Sequence, residues 1–384
     1  MTEILSKKRA RRLWIHAQGL DQDEPFGRGP EAVRRAIEHL GYVQIDTIHV
    51  IERCHHHILY DRIPGYHRED LHQAQTLDKS VFEYWTHALS YIPTRDFRFY
   101  VSDMKTFRKH PSSWYRSVQP AELRRVLRTI RNEGALSIRD IEDEVLVEKT
   151  HPWASRKPSK KALQLGFYGG QLTISERLGM LKRYELIERH FGWSRLPKAA
   201  TLREKEDYLI DRALRSQAVV SLDSVCYLEP GLKRAILKRI ETRVRKKEIV
   251  PVQVEGVKGE HWVLPETFAS PIFENNSRVH LLSPFDPLVI QRKRLAGFFD
   301  YEHRFEAYVP REKRQFGYFA LPILVGDQIV AAIDLKTDRE KKKVRLQQWT
   351  WIGKHRSAAL KKRIEQELHR FERFQLAQAR TERV

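Results

Sequence analysis

The strongest constraint on the fold is an order of periods that comes back along the chain: a helical period, a break, a second helical period, then a short stretch alternating with period two. "SKKRARRLWIHAQGL" reads as a helix, and "GPEAVRRAIEHLG" as a second, with Pro30 in its first turn and Gly41 as its stop. "GYVQIDTIHV" follows as an extended segment. The order returns in "PAELRRVLRTIRNEGALSIRDIED", read as helix, turn and short helix, followed by "KKALQLGFYGGQLTISERLGMLKRYELIERH", which closes in a hairpin. It returns again from "EKEDYLIDRALRSQ" through "EPGLKRAILKRIETRVRKK" to "EIVPVQVEGVKGEHWVL", whose alternation turns around Gly256 and Gly259. Helix, turn, helix and extended segment is the plan of a winged helix, and a pattern this short also arises by chance.

After Pro265 the texture becomes β-rich. "RVHLLSPFDPLVI", "HRFEAYVP", "YFALPILVGDQIVAAIDLKTD" and "KVRLQQWTWI" are strand candidates set apart by Pro, Gly and Asp. A long helix closes the chain, with Leu360, Ile364, Leu368 and Phe371 on one face. The expected class is mainly α with β: tandem winged-helix (helix-turn-helix) domains and a C-terminal β-rich domain ending in a long helix. The expected blocks are residues 1–115, 116–198, 199–268 and 269–384.

Within the first extended segment, Gln44 and Asp46 alternate with Val43, Ile45 and Thr47. In a strand the two polar side chains share a face, whereas in a helix they would stand roughly 200° apart. The pair therefore faces one target, either water or a substrate.

Charge narrows the partner. Lys and Arg number 70 against 50 Asp and Glu, a net charge of +20, which favours a polyanion without dictating a fold. "MTEILSKKRARRLW" has no apolar run of signal-peptide length, and the most apolar later run is broken by Gly326 and Asp327, so an unexported, cytoplasmic protein without membrane spans is expected. Cys54 and Cys226 lack any paired spacing, which indicates neither a disulfide framework nor a thiolate zinc site.

The basic residues are also arranged. Lys233, Arg234, Lys238, Arg239, Arg243, Arg245, Lys246 and Lys247 face only Glu241 within their segment, in the recognition-helix position of the third repeat. They read either as phosphate contacts or as a solvated helix face. "SKKRARR" is a second basic cluster, more simply a solubilising end. His55, His56 and His57 are adjacent and point three ways, which is not a metal-ligand spacing; they suit a DNA backbone contact or a core. Trp85 and His87 read as aromatic core, with a lesion-facing or DNA-facing stack as the alternative. Asp286, between two prolines, reads as a turn residue bonding its own backbone. Phosphate-binding glycine loops, the nucleophile elbow and the metalloprotease helix motif do not occur.

Taken together, "LGYVQIDTI", "RCHHHILYDRIPGY", "EYWTHALSYIP", "LLSPFDPLVIQRKRLAGFFDYEHRFEAYVP" and "RQFGYFALPILVGDQIVAAIDLK" resemble the AlkZ/AlkX (YcaQ) family of bacterial winged-helix DNA glycosylases. The resemblance runs over nearly the whole chain, and Gln44-Ile45-Asp46 matches the family's catalytic triplet, with the aspartate of the YcaQ branch at its third position. It implies tandem winged helices and a small β-rich C-terminal domain around a basic channel. It also implies removal of cationic alkylated purines from double-stranded DNA and unhooking of interstrand crosslinks, with Gln44 and Asp46 catalytic. No metal or cofactor is implied; a monofunctional enzyme is expected because nothing marks a lysine nucleophile, and a monomer is expected. A non-enzymatic winged-helix DNA-binding protein, such as a transcription regulator, would share the basic clusters and part from the enzyme at Asp46.

Overall fold

The computed structural model describes residues 3–142, 157–271, 277–354 and 356–377. Helix takes 45% of the chain and strand 19%, so the mixed, helix-led class read from the periods is the class observed. Packing separates two compact units: one joins residues up to 67 with those from 206 onward, and the other holds residues 68–205. The first of these units is discontinuous along the sequence.

The first unit brings the two ends of the chain together. The helix Lys7–Ala17 begins at Ser6, whose hydroxyl accepts the Arg9 amide at 3.2 Å. It buries Leu13, Trp14 and Ile15 in a core shared with Leu282, Leu295, Phe298 and Leu324. The Trp14 and Phe298 rings stand 5.4 Å apart, edge to face. The "SKKRARR" cluster is therefore not a solubilising end. Lys7 pairs with Asp300 at 2.8 Å, Arg12 pairs with Asp327 at 3.1 Å, and Arg11 donates to the Phe298 carbonyl at 3.3 Å. Helix packing carries these cations onto the C-terminal region, a destination that only the tertiary structure sets.

The third repeat forms as read. Helices Leu202–Gln217, Leu222–Val225 and Lys233–Arg245 precede strands Val250–Val254 and His261–Val263, which pair antiparallel across Gly256 and Gly259, both at positive φ. Ile210, Leu214, Ile236, Ile240 and Trp262 close a small core of their own. The strand Glu3–Leu5 adds to this sheet in parallel. Beyond it lies a four-stranded antiparallel sheet in sequence order: Val279–Leu281, Ala320–Val325, Gln328–Asp338 and Lys343–Trp351. The final helix, Ala358–Leu376, buries Ile364 and Phe371 as its pattern requires, with Leu360 and Leu368 half-buried beside them. "HRFEAYVP" is not a strand. Its Glu306 turns inward instead and accepts amides from Gln315 at 2.8 Å and Phe316 at 2.7 Å, so it fastens a loop.

In the second unit, strands Val81–Trp85 and Leu89–Pro93 form a hairpin. The helix Pro120–Glu133 ends at Gly134. The short helix expected next is instead the strand Leu136–Ser137 followed by a turn, as far as residue 142; the rest of that expectation lies outside the described residues. Leu136–Ser137 pairs with Leu181–Leu186, which forms the expected hairpin with Leu172–Leu178. Between these elements lies a buried ion pair, Glu83 with Arg177 at 2.5 Å, joined by the Gln75 amide at 3.1 Å. Burial opposes the charge on Glu83, but the Arg177 guanidinium outweighs it and holds the carboxyl below its usual range.

Candidate active site

The helix Gly29–Leu40 carries Pro30 in its first turn and stops at Gly41, where φ is +82°. A Cβ at Gly41 would lie 2.4 Å from the Arg212 stem, so both the left-handed turn and the close approach require glycine. The chain leaves this cap as a strand of two residues, Val43–Gln44, shorter than the alternation suggested. Val43, Gln44 and Ile45 are all buried. Asp46 is partly exposed and Thr47 exposed. Asp46 therefore stands where the chain first reaches the surface.

The aspartate also ends the strand. Its Oδ1 accepts the Ile48 amide at 2.8 Å, an Asx turn that bends the chain and fixes the carboxylate. Behind it, the Cys54 thiol donates to the Gln44 carbonyl at 3.0 Å. Burial, with the Asp46 carboxylate adding to it, pushes the Cys54 thiol well above its ordinary value, so it remains a protonated donor. The motif backbone is thus clamped from within by the first residue of the helix Cys54–Tyr60.

That helix is itself locked in place by Arg62. The guanidinium lies fully buried, bidentate to Asp286 at 2.7 and 3.0 Å, and also donates to the Gln18 carbonyl at 3.0 Å, the Gln18 side-chain oxygen at 2.9 Å and the Ile58 carbonyl at 3.1 Å. Asp286 keeps the turn role read from the sequence, accepting the Leu288 amide at 2.9 Å. Its second role, as counter-ion to a residue 224 positions earlier, had no local signal.

His55 and His57 are buried, and the His57 ring packs 4.4 Å from Phe371 while its Nε2 bonds the Leu281 carbonyl. His56 bonds the Tyr66 hydroxyl at 2.7 Å. His55 and His57 thus lie in the core, and His56 is partly exposed. No group of three His, Cys, Asp or Glu side chains placed to hold a metal occurs among the described residues. Trp85 departs from the aromatic-core reading: it is 50% exposed at the end of its strand, with Tyr168 6.2 Å away, and His87 sits partly exposed in the turn beyond it.

The basic helix is less open than its composition suggests. Lys233 pairs with Asp223 at 2.5 Å, Arg239 with Asp207 at 2.6 Å, and Arg243 with Asp211 at 2.6 Å and Glu248 at 3.2 Å. The expectation that Glu241 alone opposes the cluster is corrected, because the helix Leu202–Gln217 turns Asp207 and Asp211 toward it and Asp223 and Glu248 flank it. Arg234, Lys238 and Arg245 form a separate exposed stripe at helical spacing, without a carboxylate partner among the described residues.

The whole fold matches a solved structure, the Streptomyces sahachiroi DNA glycosylase AlkZ, with a TM-score of 0.62 over 98% of each chain at 16% identity. At that identity the likeness is one of architecture, and it places the chain among helix-rich folds of this glycosylase type. Residues 37–374 match the family model described as DNA glycosylase AlkZ-like, and the chain belongs to that family. It is a DNA repair glycosylase, as the sequence motifs implied, with DNA as its substrate. Among the described residues no helix is long and apolar enough to cross a membrane.

Proposed function

We propose that this glycosylase hydrolyses the N-glycosidic bond of cationic alkylated purines in duplex DNA, N7-alkylguanine and N3-alkyladenine, leaving an abasic site. The observation that carries the reading is the Asp46 carboxylate, held at the surface by its own Asx turn with Oδ1 on the Ile48 amide. An alkylated purine already bears positive charge and departs without added protonation, so the developing centre is an oxocarbenium-like sugar. A fixed carboxylate stabilises that cation and orients or deprotonates the attacking water. The Gln44 amide, nearly enclosed two residues earlier, holds the same water from behind.

The helix–helix–hairpin arrangement of residues 202–263 supports a winged helix in which Arg234, Lys238 and Arg245 meet phosphate, and the repeats before it support two more. Exposed Trp85, with His87 beside it, suits a DNA-facing stack. Family membership favours the enzyme over the regulator reading.

The direct test is incubation with duplex containing N7-methylguanine: free base with an intact strand is expected, and strand cleavage without alkali would overturn the monofunctional reading. Borohydride added during turnover should trap no adduct. A trapped adduct would mean a Schiff-base enzyme and overturn the role given to Asp46.

We propose further that the enzyme unhooks N7-guanine interstrand crosslinks. A carboxylate at the surface acts on the sugar cation common to every cationic purine, and a site that reaches the bond with the base still stacked has no extrusion to perform. On a denaturing gel, a duplex with one nitrogen-mustard-type crosslink should separate after protein and alkali. Release of the monoadduct with the crosslink intact would remove unhooking from the function.

A further inference from the structure

We propose that the groove beside Val50, between the loop of residues 306–319 and the strands Gln328–Asp338 and Lys343–Trp351, binds a phosphodiester of the DNA strand near the lesion. The inference takes its position relative to the chemistry from the reading of Asp46 above.

The groove encloses about 530 Å³ and is lined by the cations Arg311, Arg314 and Lys336 and the amides Gln347 and Gln348. None of the three cations has a carboxylate partner among the described residues, unlike Lys7, Arg12, Arg62, Lys233, Arg239 and Arg243. One carboxylate, Asp334, does line the groove, but it is buried and committed to backbone: Oδ2 accepts the Tyr318 amide at 2.9 Å and Oδ1 the Phe319 amide at 3.0 Å. Its oxygens are taken up by the loop, and against its one negative charge the three cations leave the groove positive.

The loop that carries Arg314 is held in place. Glu306 gathers the amides of Gln315, Phe316 and Gly317 from one side and Asp334 gathers the next two from the other. Gly317 has a φ of +120°, and a Cβ there would lie 2.3 Å from the Asp334 Oδ2, so the approach that lets Asp334 reach the loop needs glycine. Arg314 is fixed by donating its Nε to the Val309 carbonyl at 2.8 Å and by lying 5.0 Å from the centre of the Tyr318 ring. Its terminal nitrogens bond no group among the described residues. The ordered Arg314 guanidinium, with the exposed Arg311 and Lys336 and the Gln347 amide around an open groove, suits a phosphate, whose oxygens accept from planar forks and point charges alike.

The groove is also tied to the candidate catalytic segment. The Thr337 amide, next to Lys336, donates to the Val50 carbonyl at 2.9 Å, and Arg339 donates to the Ile51 carbonyl at 2.7 Å. From Asp46 to Val50 the chain spans at most roughly 14 Å, which a DNA strand covers in about four base steps of 3.4 Å. A phosphate within a few nucleotides of the lesion therefore falls in this groove, and its capture fixes the sugar against Asp46.

The test uses the full chain. R311Q/K336Q removes two charges while keeping polar side chains of similar length at exposed positions. Affinity for lesion duplex should fall about tenfold or more near physiological salt, and the log-log salt slope should flatten by about two. An unchanged affinity and slope would take the groove out of the DNA path. D46N reports separately: base release at wild-type rate would sink the role of Asp46, while the slope experiment would still decide the groove.

Discussion

The basic helix Lys233–Arg245 and the groove beside Val50 both gather cations, and they employ them differently. On the helix, Lys233, Arg239 and Arg243 answer Asp223, Asp207 and Asp211 of the same unit. In the groove the acids answer backbone amides, and Arg311, Arg314 and Lys336 are left to meet something else. A paired cation contributes to the fold and an unpaired one to binding. Charge density along the sequence does not tell the two apart, because a partner 32 residues away, as for Arg239 and Asp207, is invisible to a local count.

The contrast can be broken in several places. The largest effect belongs to neither kind of cation: Asp46→Asn should lower single-turnover base release by about 10² to 10⁴ while duplex affinity stays close to wild type. A variant that loses binding in proportion would put Asp46 with the phosphate contacts. Next comes the most completely paired cation. Asp286→Asn strands the Arg62 guanidinium in the interior and should cost about 3–5 kcal/mol, read from the denaturant midpoint, with no change in the salt slope of the protein that remains folded. A slope altered by that substitution would mean that pairing is no guide to role.

The exposed and paired faces of the basic helix offer a closer comparison. R234Q/K238Q should flatten the salt slope by about two and leave thermal stability within experimental error of wild type. R239Q/R243Q should barely move the slope, and should lower stability by about 1 kcal/mol or less because those pairs are partly solvated. Equal slopes for the two double variants would erase the distinction between faces.

What the sequence could show follows from range. Pro30 and Gly41 bound a helix through local chemistry, and the structure places them in its first turn and at its left-handed cap. The face of the last helix is a short-range pattern and forms, whereas "YFALPILVGDQIVAAIDLKTD", read as one strand candidate, folds as two strands about Gly326 and Asp327. The polar pair was visible as well, but not its asymmetry, since the strand stops at Gln44 and the Asx turn lifts Asp46 to the surface while Gln44 stays within. "HRFEAYVP" alternates as a strand does, yet Glu306 is drawn to amides nine to eleven residues on, and alternation carries no information about that competitor. Trp85 was read toward the core by residue type, whereas its position at the end of a hairpin strand leaves it half exposed. The Arg62–Asp286 pair and the groove lay beyond reach, because each joins segments more than 200 residues apart.

The discontinuous first unit has a consequence for the order in which the chain is made. Synthesis runs from the amino end at roughly 5–20 residues per second, so Arg62 emerges well before Asp286, by something like 10 to 45 seconds. Throughout that interval the helix Cys54–Tyr60, and the motif it clamps, await a counter-ion that has not yet been translated. The residues of the second unit, 68–205, all emerge within the same interval. A nascent repair enzyme of this plan therefore completes the framework of its candidate catalytic segment late, and a ribosome that stops before residue 286 releases a polypeptide with a cation at its centre and nothing to oppose it.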